Sequence, residues 1–310
     1  MNVTSEEMRD NSIFVLSVYI PLALFIIAGN ALVIFLIRQT RSFDEPQFVL
    51  LGSLAFVDLL TGIIAVPMYM WGCISRRSLH LQDFDECELQ FVPVKIFLLV
   101  SCLHLVFITV DRYFSIMKPL QYYKLMTFPK VYFSIAFSWI IGCVYGVIQL
   151  FGEITQNEGI FFCYKMDPHL IEAQRYMSLV TVSTGTILVS IMYFKMFMQA
   201  KRHSKNIVSI PVSTHKIIRK RLKAAKTSAL IVGAFGIAFL PFALRPIVYL
   251  FGYQRSDVYW YDLIAEVLVT MSSAVNPFIY VCRLRRFSRA LRRLLKKLMP
   301  KPLKSTIETC

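Results

Sequence analysis

Long apolar runs separated by short polar segments dominate the chain. Seven of these runs reach roughly the 20 residues that a helix needs to cross a bilayer. Their predicted bounds are Ile13–Ile37, Gln47–Trp71, Glu88–Val110, Val131–Phe151, Tyr176–Met198, Ala224–Phe251 and Trp260–Cys282. The runs are too long and too uniformly apolar for strands of a membrane barrel, which alternate at every second residue. The pattern predicts an all-α membrane protein with seven transmembrane helices, called span one to span seven below.

A different pattern follows span seven. Within Leu284–Met299, apolar residues recur at helical spacing with Arg and Lys between them; they are Leu284, Phe287, Leu291, Leu294 and Leu298. This pattern predicts a short amphipathic eighth helix lying on the anionic inner leaflet, and a frayed basic tail is the alternative. The predicted organisation is an extracellular tail (1–12), a seven-transmembrane domain (13–282) and a cytoplasmic helix and tail (283–310).

Composition supports the membrane assignment, and the charge distribution gives an orientation. The chain is 56% hydrophobic and 17% charged, with a mean hydropathy of +0.56, whereas soluble domains carry about 25% charged residues. The net charge is +15, but 24 of the 34 Lys and Arg fall in four segments: 38–41, 118–130, 201–226 and 283–304. Basic loops stay in the cytoplasm. We therefore expect a plasma-membrane protein with its amino terminus outside and its carboxyl terminus inside, and no nucleic-acid partner.

The predicted extracellular side carries modification candidates. Asn2 begins an Asn-Val-Thr glycosylation sequon. Cys73, Cys87 and Cys163 face the oxidising exterior. A Cys87–Cys163 bridge would hold the loop after span four over the mouth of the bundle and leave Cys73 as the odd cysteine; in the alternative, neither Cys87 nor Cys163 is paired. Cys310, at the other terminus, is a weak lipidation candidate.

Several polar residues fall inside the predicted spans. Asp58 lies near the middle of span two, where a carboxylate needs a counter-ion, a proton or water. The polar side chains expected near it are Asn30, Ser101, Ser273 and Asn276. Oxygen ligands around one carboxylate would suit a sodium ion with waters. The alternative is a protonated Asp58 that joins helices by hydrogen bonds.

Arg112 lies eleven residues after Ser101, or about 16 Å along a helix, at the inner end of span three. Asp111 can hold this arginine in one state. Tyr193 and Tyr280, at similar depth in spans five and seven, can hold it in another. A charge with two alternative sets of partners is a candidate conformational switch. The simpler interpretation is that each tyrosine is an interfacial anchor.

These residues form a familiar set, and the chain resembles the rhodopsin-like (class A) G-protein-coupled receptors over essentially its whole length. The matching motifs are Gly29-Asn30, Leu54–Asp58, Asp111-Arg112-Tyr113 with Pro119-Leu120, Trp139, Tyr193, Pro241, Asn276-Pro277-Phe278-Ile279-Tyr280 and the Cys87/Cys163 pair. The resemblance implies an agonist pocket in the outer half of the bundle, an outward swing of span six and docking of a heterotrimeric G protein under Arg112. Arrestin is a second partner implied by the resemblance.

The chain departs from the family pattern at several positions. Phe239 stands where a tryptophan usually precedes the proline of span six, and Gly185 stands where span five often has a proline. Arg221 stands where some members place an acid that locks Arg112, so we expect raised basal signalling.

The ligand is constrained mainly by two missing residues. Val94 replaces the span-three aspartate that holds amines in aminergic receptors, and Thr270 replaces the span-seven lysine that bonds retinal in opsins. A non-aminergic, non-opsin small ligand is therefore expected. Lys95 and Glu266 are the charges predicted near the pocket. They either pair with each other or hold a zwitterionic or acidic ligand; alternatively, the Lys95 stem simply extends to the headgroups.

Two other functional classes find less support. Transporters often contain internal repeats and broken helices, and we find no repeat. An enzyme within the membrane would need a motif such as HExxH or paired aspartates in the spans, and the sequence has neither. We therefore expect a receptor without a catalytic site.

Overall fold

A computed structural model describes most of the chain. The described residues are 5–40, 42–78, 92–148, 152–156, 162–166, 176, 180, 184–185, 187–199, 212–251, 259–283 and 285–298. Within these ranges, five helical stretches are long and apolar enough to cross a membrane, and two shorter apolar helices, Ile187–Gln199 and Ala229–Arg245, lie where spans five and six are predicted. The architecture is the predicted all-α membrane bundle with a terminal amphipathic helix.

The helices follow the predicted order. Spans one, three, four, six and seven are the helices Ser5–Gln39, Val92–Met117, Phe128–Ile148, Val212–Leu250 and Tyr259–Arg283. Span five is described as Ile187–Gln199. Short helices Ser42–Asp44 and Tyr122–Leu125 lie between spans, and the terminal helix is Arg285–Leu298.

Span two is interrupted by a wider turn. A helix over Pro46–Leu60 passes through a π-helical turn, Thr61–Ala65, into a second helix, Val66–Ser78. The backbone N–H of Val66 donates to the carbonyl of Thr61, five residues earlier. Pro67 comes directly after this bond and has no N–H to donate. The turn therefore lies just beyond Asp58, in the middle of the span.

Several helix ends differ from the prediction because helical hydrogen bonding continues past the apolar residues. Span three ends at Met117 rather than Val110, so Arg112 lies inside the helix. Span six begins at Val212 rather than at Ala224. Span one begins at Ser5, inside the predicted tail. Hydropathy records only the apolar part of each helix.

A β-hairpin follows span four, where we predicted only a loop. Its strands, Gly152–Gln156 and Phe162–Met166, are antiparallel and place Thr155 opposite Cys163. The β-branched and aromatic residues on either side of Asn157-Glu158-Gly159 are a weak hairpin signal in the sequence.

Close contacts hold the bundle together. A Cβ placed on Gly29 of span one would lie 3.0 Å from Pro277 Cγ of span seven, so glycine permits this approach. In span four, the ring of Trp139 lies edge-on to Phe97 of span three, with centroids 6.2 Å apart. Such contacts fix the neighbours of each helix within the membrane.

The terminal helix has the predicted amphipathic character, and part of its apolar face packs on the bundle. Phe287 is fully buried, with its ring centroid 5.8 Å from that of Phe48 in span two. Beside it, Arg286 Nη1 lies 2.6 Å from Glu45 Oε1. Arg289, Arg292 and Arg293 are exposed on the other side. The helix is therefore anchored to protein as well as available to lipid headgroups.

Candidate functional site

Arg112 is held by its neighbour at one end of the bundle, called the Arg112 end below. Its side chain is buried, and its Nε donates to Asp111 Oδ2 at 2.8 Å, while Nη2 also bonds that oxygen. The hydroxyl of Tyr122, in the short helix after span three, donates to Asp111 Oδ1 at 2.7 Å. Burial and the nearby Asp111 carboxylate raise the pKa of Tyr122, so its hydroxyl remains a donor. Asp111 therefore orients both the arginine and the loop.

The predicted alternative partners of Arg112 lie at the same end of the bundle without binding it. Tyr193 packs with Tyr113 against Ile116 and Met196, where spans three and five meet. Tyr280 is completely buried, and its hydroxyl has no hydrogen-bond partner among the described residues. A buried hydroxyl without a partner costs about 1–3 kcal/mol. The structure thus shows Arg112 bound to Asp111. The Tyr280 hydroxyl is a polar group that could serve a second arrangement of Arg112.

Asp58 joins spans two and seven in the middle of the bundle. It is fully buried, accepts a hydrogen bond from Ser273 Oγ at 2.7 Å and accepts another from Asn276 Nδ2 at 2.8 Å. Asn30 was predicted to join this group, but its Nδ2 donates instead to the carbonyls of Ile26 and Ser273, at 2.9 and 3.1 Å. Asn30 therefore positions the backbone of span seven and does not contact the carboxylate.

A cavity of about 20 Å³ lies beside Asp58. That volume is enough for one water molecule or an ion of similar size. Besides apolar residues, its lining includes Asp58, Thr61, Ser101, Thr270, Ser272, Ser273 and Asn276. Carboxylate and hydroxyl oxygens suit a hard cation, so the residues present fit a sodium ion. Within the described ranges, no three His, Cys, Asp or Glu side chains cluster as a metal site.

Three of the predicted pocket residues lie at or next to the cavity beside Asp58. Val94 and Thr270 line the cavity beside Asp58. Phe239 is buried next to it, in a row of three span-six rings: its centroid lies 5.4 Å from Phe235, which also lines the cavity, and 5.4 Å from Phe242. The row extends from the cavity toward the other end of span six, called the opposite end below.

Glu266 pairs with an arginine, whereas pairing with Lys95 was one of the alternatives considered for it. Arg245 Nη1 of span six lies 2.7 Å from Glu266 Oε1, so arginine takes the place predicted for Lys95. Arg245 Nε also lies 3.0 Å from Asp262 Oδ1, and its Nη2 donates to the Asp262 carbonyl at 2.6 Å. Arg245 falls inside predicted span six, Ala224–Phe251, and we predicted no role for it. The four-residue spacing of Asp262 and Glu266 on one helix face was the available signal.

A buried histidine was also missed. His104 of span three is fully buried; its Nδ1 donates to the Val100 carbonyl at 2.8 Å, and its Nε2 is hydrogen-bonded with Ser53 Oγ of span two, also at 2.8 Å. The ring therefore joins spans two and three. Its polar side chain within an apolar run was visible in the sequence.

Several predicted features lie outside the described residues. Asn2, Cys87 and Cys310 are among them, and for Cys163 the structure describes only the backbone of its strand. The side chains of Cys73 and Arg221 are likewise outside the described part. The disulfide, the glycosylation and the missing lock on Arg112 stay predictions.

Comparison with known proteins gives a consistent result. Residues 29–280 match the family described as 7 transmembrane receptor (rhodopsin family). The chain is 26% identical to trace amine-associated receptor 7e of Rattus norvegicus, covering 87% of this chain and 78% of that receptor. It is 23% identical to adenosine receptor A3 of Bos taurus, covering 96% and 94%. The crystal structure of squid rhodopsin matches with a TM-score of 0.72 at 22% identity, covering 91% of this chain and 86% of that one.

Proposed function

Because the chain belongs to the rhodopsin family of seven-transmembrane receptors, we propose that it carries an extracellular small-ligand signal across the plasma membrane to heterotrimeric G proteins. Members of this family are multi-pass membrane receptors that signal through G proteins and are not enzymes. The ligand class, the orientation and the switch residues are the specific parts of the proposal.

The buried ion pair at the Arg112 end is the observation that carries the proposal. A buried arginine is costly unless it is paired, and Asp111 supplies the pair in this arrangement. Tyr193 packs against Ile116 and Met196 at the same end of the bundle, and Tyr280 is fully buried there in the cluster that includes Tyr122. Movement of span six would expose Arg112 to a G protein and bring these tyrosines into its reach, so Asn276, Pro277 and Tyr280 act with Asp111, Arg112 and Tyr113 in the switch.

The Arg112 end is proposed to face the cytoplasm. In the sequence, the four Lys- and Arg-rich segments follow spans one, three, five and seven, and Arg112 lies at that same end of span three, as the positive-inside rule requires. Leu120 lies two residues before Tyr122, and its side chain is 97% exposed. An apolar side chain so exposed on the cytoplasmic side suits a protein partner; the G protein is the proposed one, and arrestin is a second.

The small cavity beside Asp58 is proposed to hold a sodium ion. Asp58 would supply the charge, and Ser101 and Ser273 would supply neutral oxygens next to it. The ion would stabilise the arrangement in which spans two, three and seven meet as described. Neutral Asp58 held by the same hydrogen bonds is the alternative.

The ligand is proposed to be held neither as in aminergic receptors nor as in opsins. Val94 and Thr270 face the cavity and offer neither a carboxylate nor an amine there. The proposed pocket consists of Val94, Lys95, Phe239, Glu266 and Thr270.

The test is nucleotide exchange by purified receptor in lipid nanodiscs with several G proteins. R112Q should reduce exchange by roughly tenfold or more, since losing an interface hot-spot residue costs about 2 kcal/mol or more. R38Q, which alters an exposed arginine near the end of span one, is the matched control and should behave as wild type. Exchange by R112Q at the wild-type rate would overturn the proposed switch.

A further inference from the structure

One ion-paired cluster near the opposite end of the bundle has no part in the switch. Arg245 of span six lies between Asp262 and Glu266 of span seven, and the three side chains are 15–18% exposed. The cluster lies where spans six and seven meet, and the neighbouring Leu263 of span seven packs with Tyr69 of span two. It is therefore buried enough to make charges costly and open enough for exchange with an external group.

Glu266 is incompletely satisfied in this cluster. Its Oε1 binds Arg245, but its Oε2 is buried and has no hydrogen-bond partner among the described residues. The single guanidinium of Arg245 is also shared with Asp262. A buried carboxylate oxygen without a donor loses hydration without compensation. A second cationic donor placed against Glu266 would remove that penalty.

The surroundings favour an organic cation over a metal ion or an anion. The guanidinium carbon of Arg245 lies 4.6 Å from the centroid of the Phe242 ring, so an aromatic face already accompanies the cation. Aromatic faces attract ammonium and guanidinium groups. An anionic ligand would meet two carboxylates at the same place.

We infer that Asp262 and Glu266 form a binding site for an organic cation. In the resting receptor, Arg245 occupies this site. The extracellular ligand brings an ammonium or guanidinium group that displaces Arg245 from Glu266. Arg245 is thus a tethered competitor of the ligand. Displacement frees Arg245 to move with Phe242 and span six. The valine at position 94 excludes only an amine that is held by span three, whereas this cation is held by span seven. This inference rests on the proposed receptor function.

The experiment measures thermal unfolding and nucleotide exchange of the full-length receptor in nanodiscs. The probes are benzylammonium, benzamide and benzoate, which share a ring and differ in charge. R245Q removes the resident cation, so benzylammonium should raise its Tm by at least about 2 °C more than that of wild type. Benzamide and benzoate should not, and R245Q/E266Q should lose the effect. R292Q, an exposed arginine of the terminal helix, should respond as wild type.

An equal response to benzylammonium and benzamide, or a response that survives E266Q, would overturn the inference. Should R245Q fail to fold, wild type and E266Q receive the same three probes, and only wild type should be stabilised, by benzylammonium alone. A charge-dependent Tm shift without exchange on any G protein would leave the cation site standing and remove the receptor function. Exchange driven by other compounds, without a Tm shift from benzylammonium, would leave the receptor function standing and remove the cation site.

Discussion

Asp111 has both carboxylate oxygens occupied, one by Arg112 and one by Tyr122. The tyrosine therefore holds the carboxylate in the position from which it binds the arginine. Hydrogen bonds to charged groups contribute about 1.5–3 kcal/mol, which is comparable with the free-energy difference between receptor states.

Y122F should therefore raise basal nucleotide exchange by roughly tenfold or more, because only the Asp111-bound state loses a hydrogen bond. Y123F is the matched control: its ring lies beside that of Tyr122, and its side chain is 75% exposed. Basal exchange measured without ligand checks the expectation, and equal rates for the two variants would contradict it. Because the pKa of Tyr122 is raised, the hydroxyl stays protonated, and the wild-type bond should persist from mildly acidic to mildly alkaline pH.

At the scale of single residues, the motifs could be predicted from the sequence more readily than the pairs of side chains that contact each other. The neighbours of Asp58 in span seven could be predicted, since Ser273 and Asn276 are three residues apart on one helix. The partner of Glu266 could not be, because Lys95 and Arg245 are both cations near the ends of apolar runs and spacing does not choose between them. Only the packing of span six on span seven does.

At the scale of single elements, the packing of one helix on another depends on small residues that permit close contact. A Cβ on Gly142 of span four would overlap Val100 Cγ2 of span three and lie 3.4 Å from the Ile96 carbonyl oxygen. Val100 is fully buried and β-branched, so it has little freedom to move.

G142A should therefore destabilise the receptor by about 1–3 kcal/mol, as overpacking does. G233A is the control, since a Cβ there meets nothing within 4 Å and alanine favours a helix by up to about 1 kcal/mol. Thermal unfolding in nanodiscs should show a lower Tm for G142A alone. A G142A receptor as stable as G233A would mean that spans three and four can separate at little cost.

The existence of the spans could be predicted from hydropathy, whereas their ends could not. The apolar signal of span three stops near Val110, but helical bonds continue to Met117 because nothing in Arg112–Ile116 breaks a helix. The strands of the hairpin after span four are only five residues long, so they give a weak periodic signal. The fold class thus follows from apolar runs, and the ends depend on backbone hydrogen bonding.

At the scale of the whole molecule, Asp58 is where spans two, three and seven converge. A sodium ion there would stabilise the resting arrangement. Replacing potassium by sodium at equal ionic strength should therefore lower basal exchange, and D58N should abolish that difference. S17A, in span one, changes an exposed hydroxyl and should keep it. An identical sodium response in D58N and wild type would exclude the ion from this cavity.

The convergence itself could be expected from the family resemblance but not from periodicity, which gives faces of helices without naming their neighbours. The structure adds the pairings, such as Asn30 with the Ser273 carbonyl, that no spacing predicts.

The π-helical turn in span two affects how this receptor can be aligned with others. One additional residue in a turn rotates every later side chain by about 100° relative to an uninterrupted helix. An ungapped alignment with a relative that lacks the turn would therefore assign Tyr69 to the wrong face. Pocket positions beyond Ala65 should be matched by superposition or with a one-residue gap.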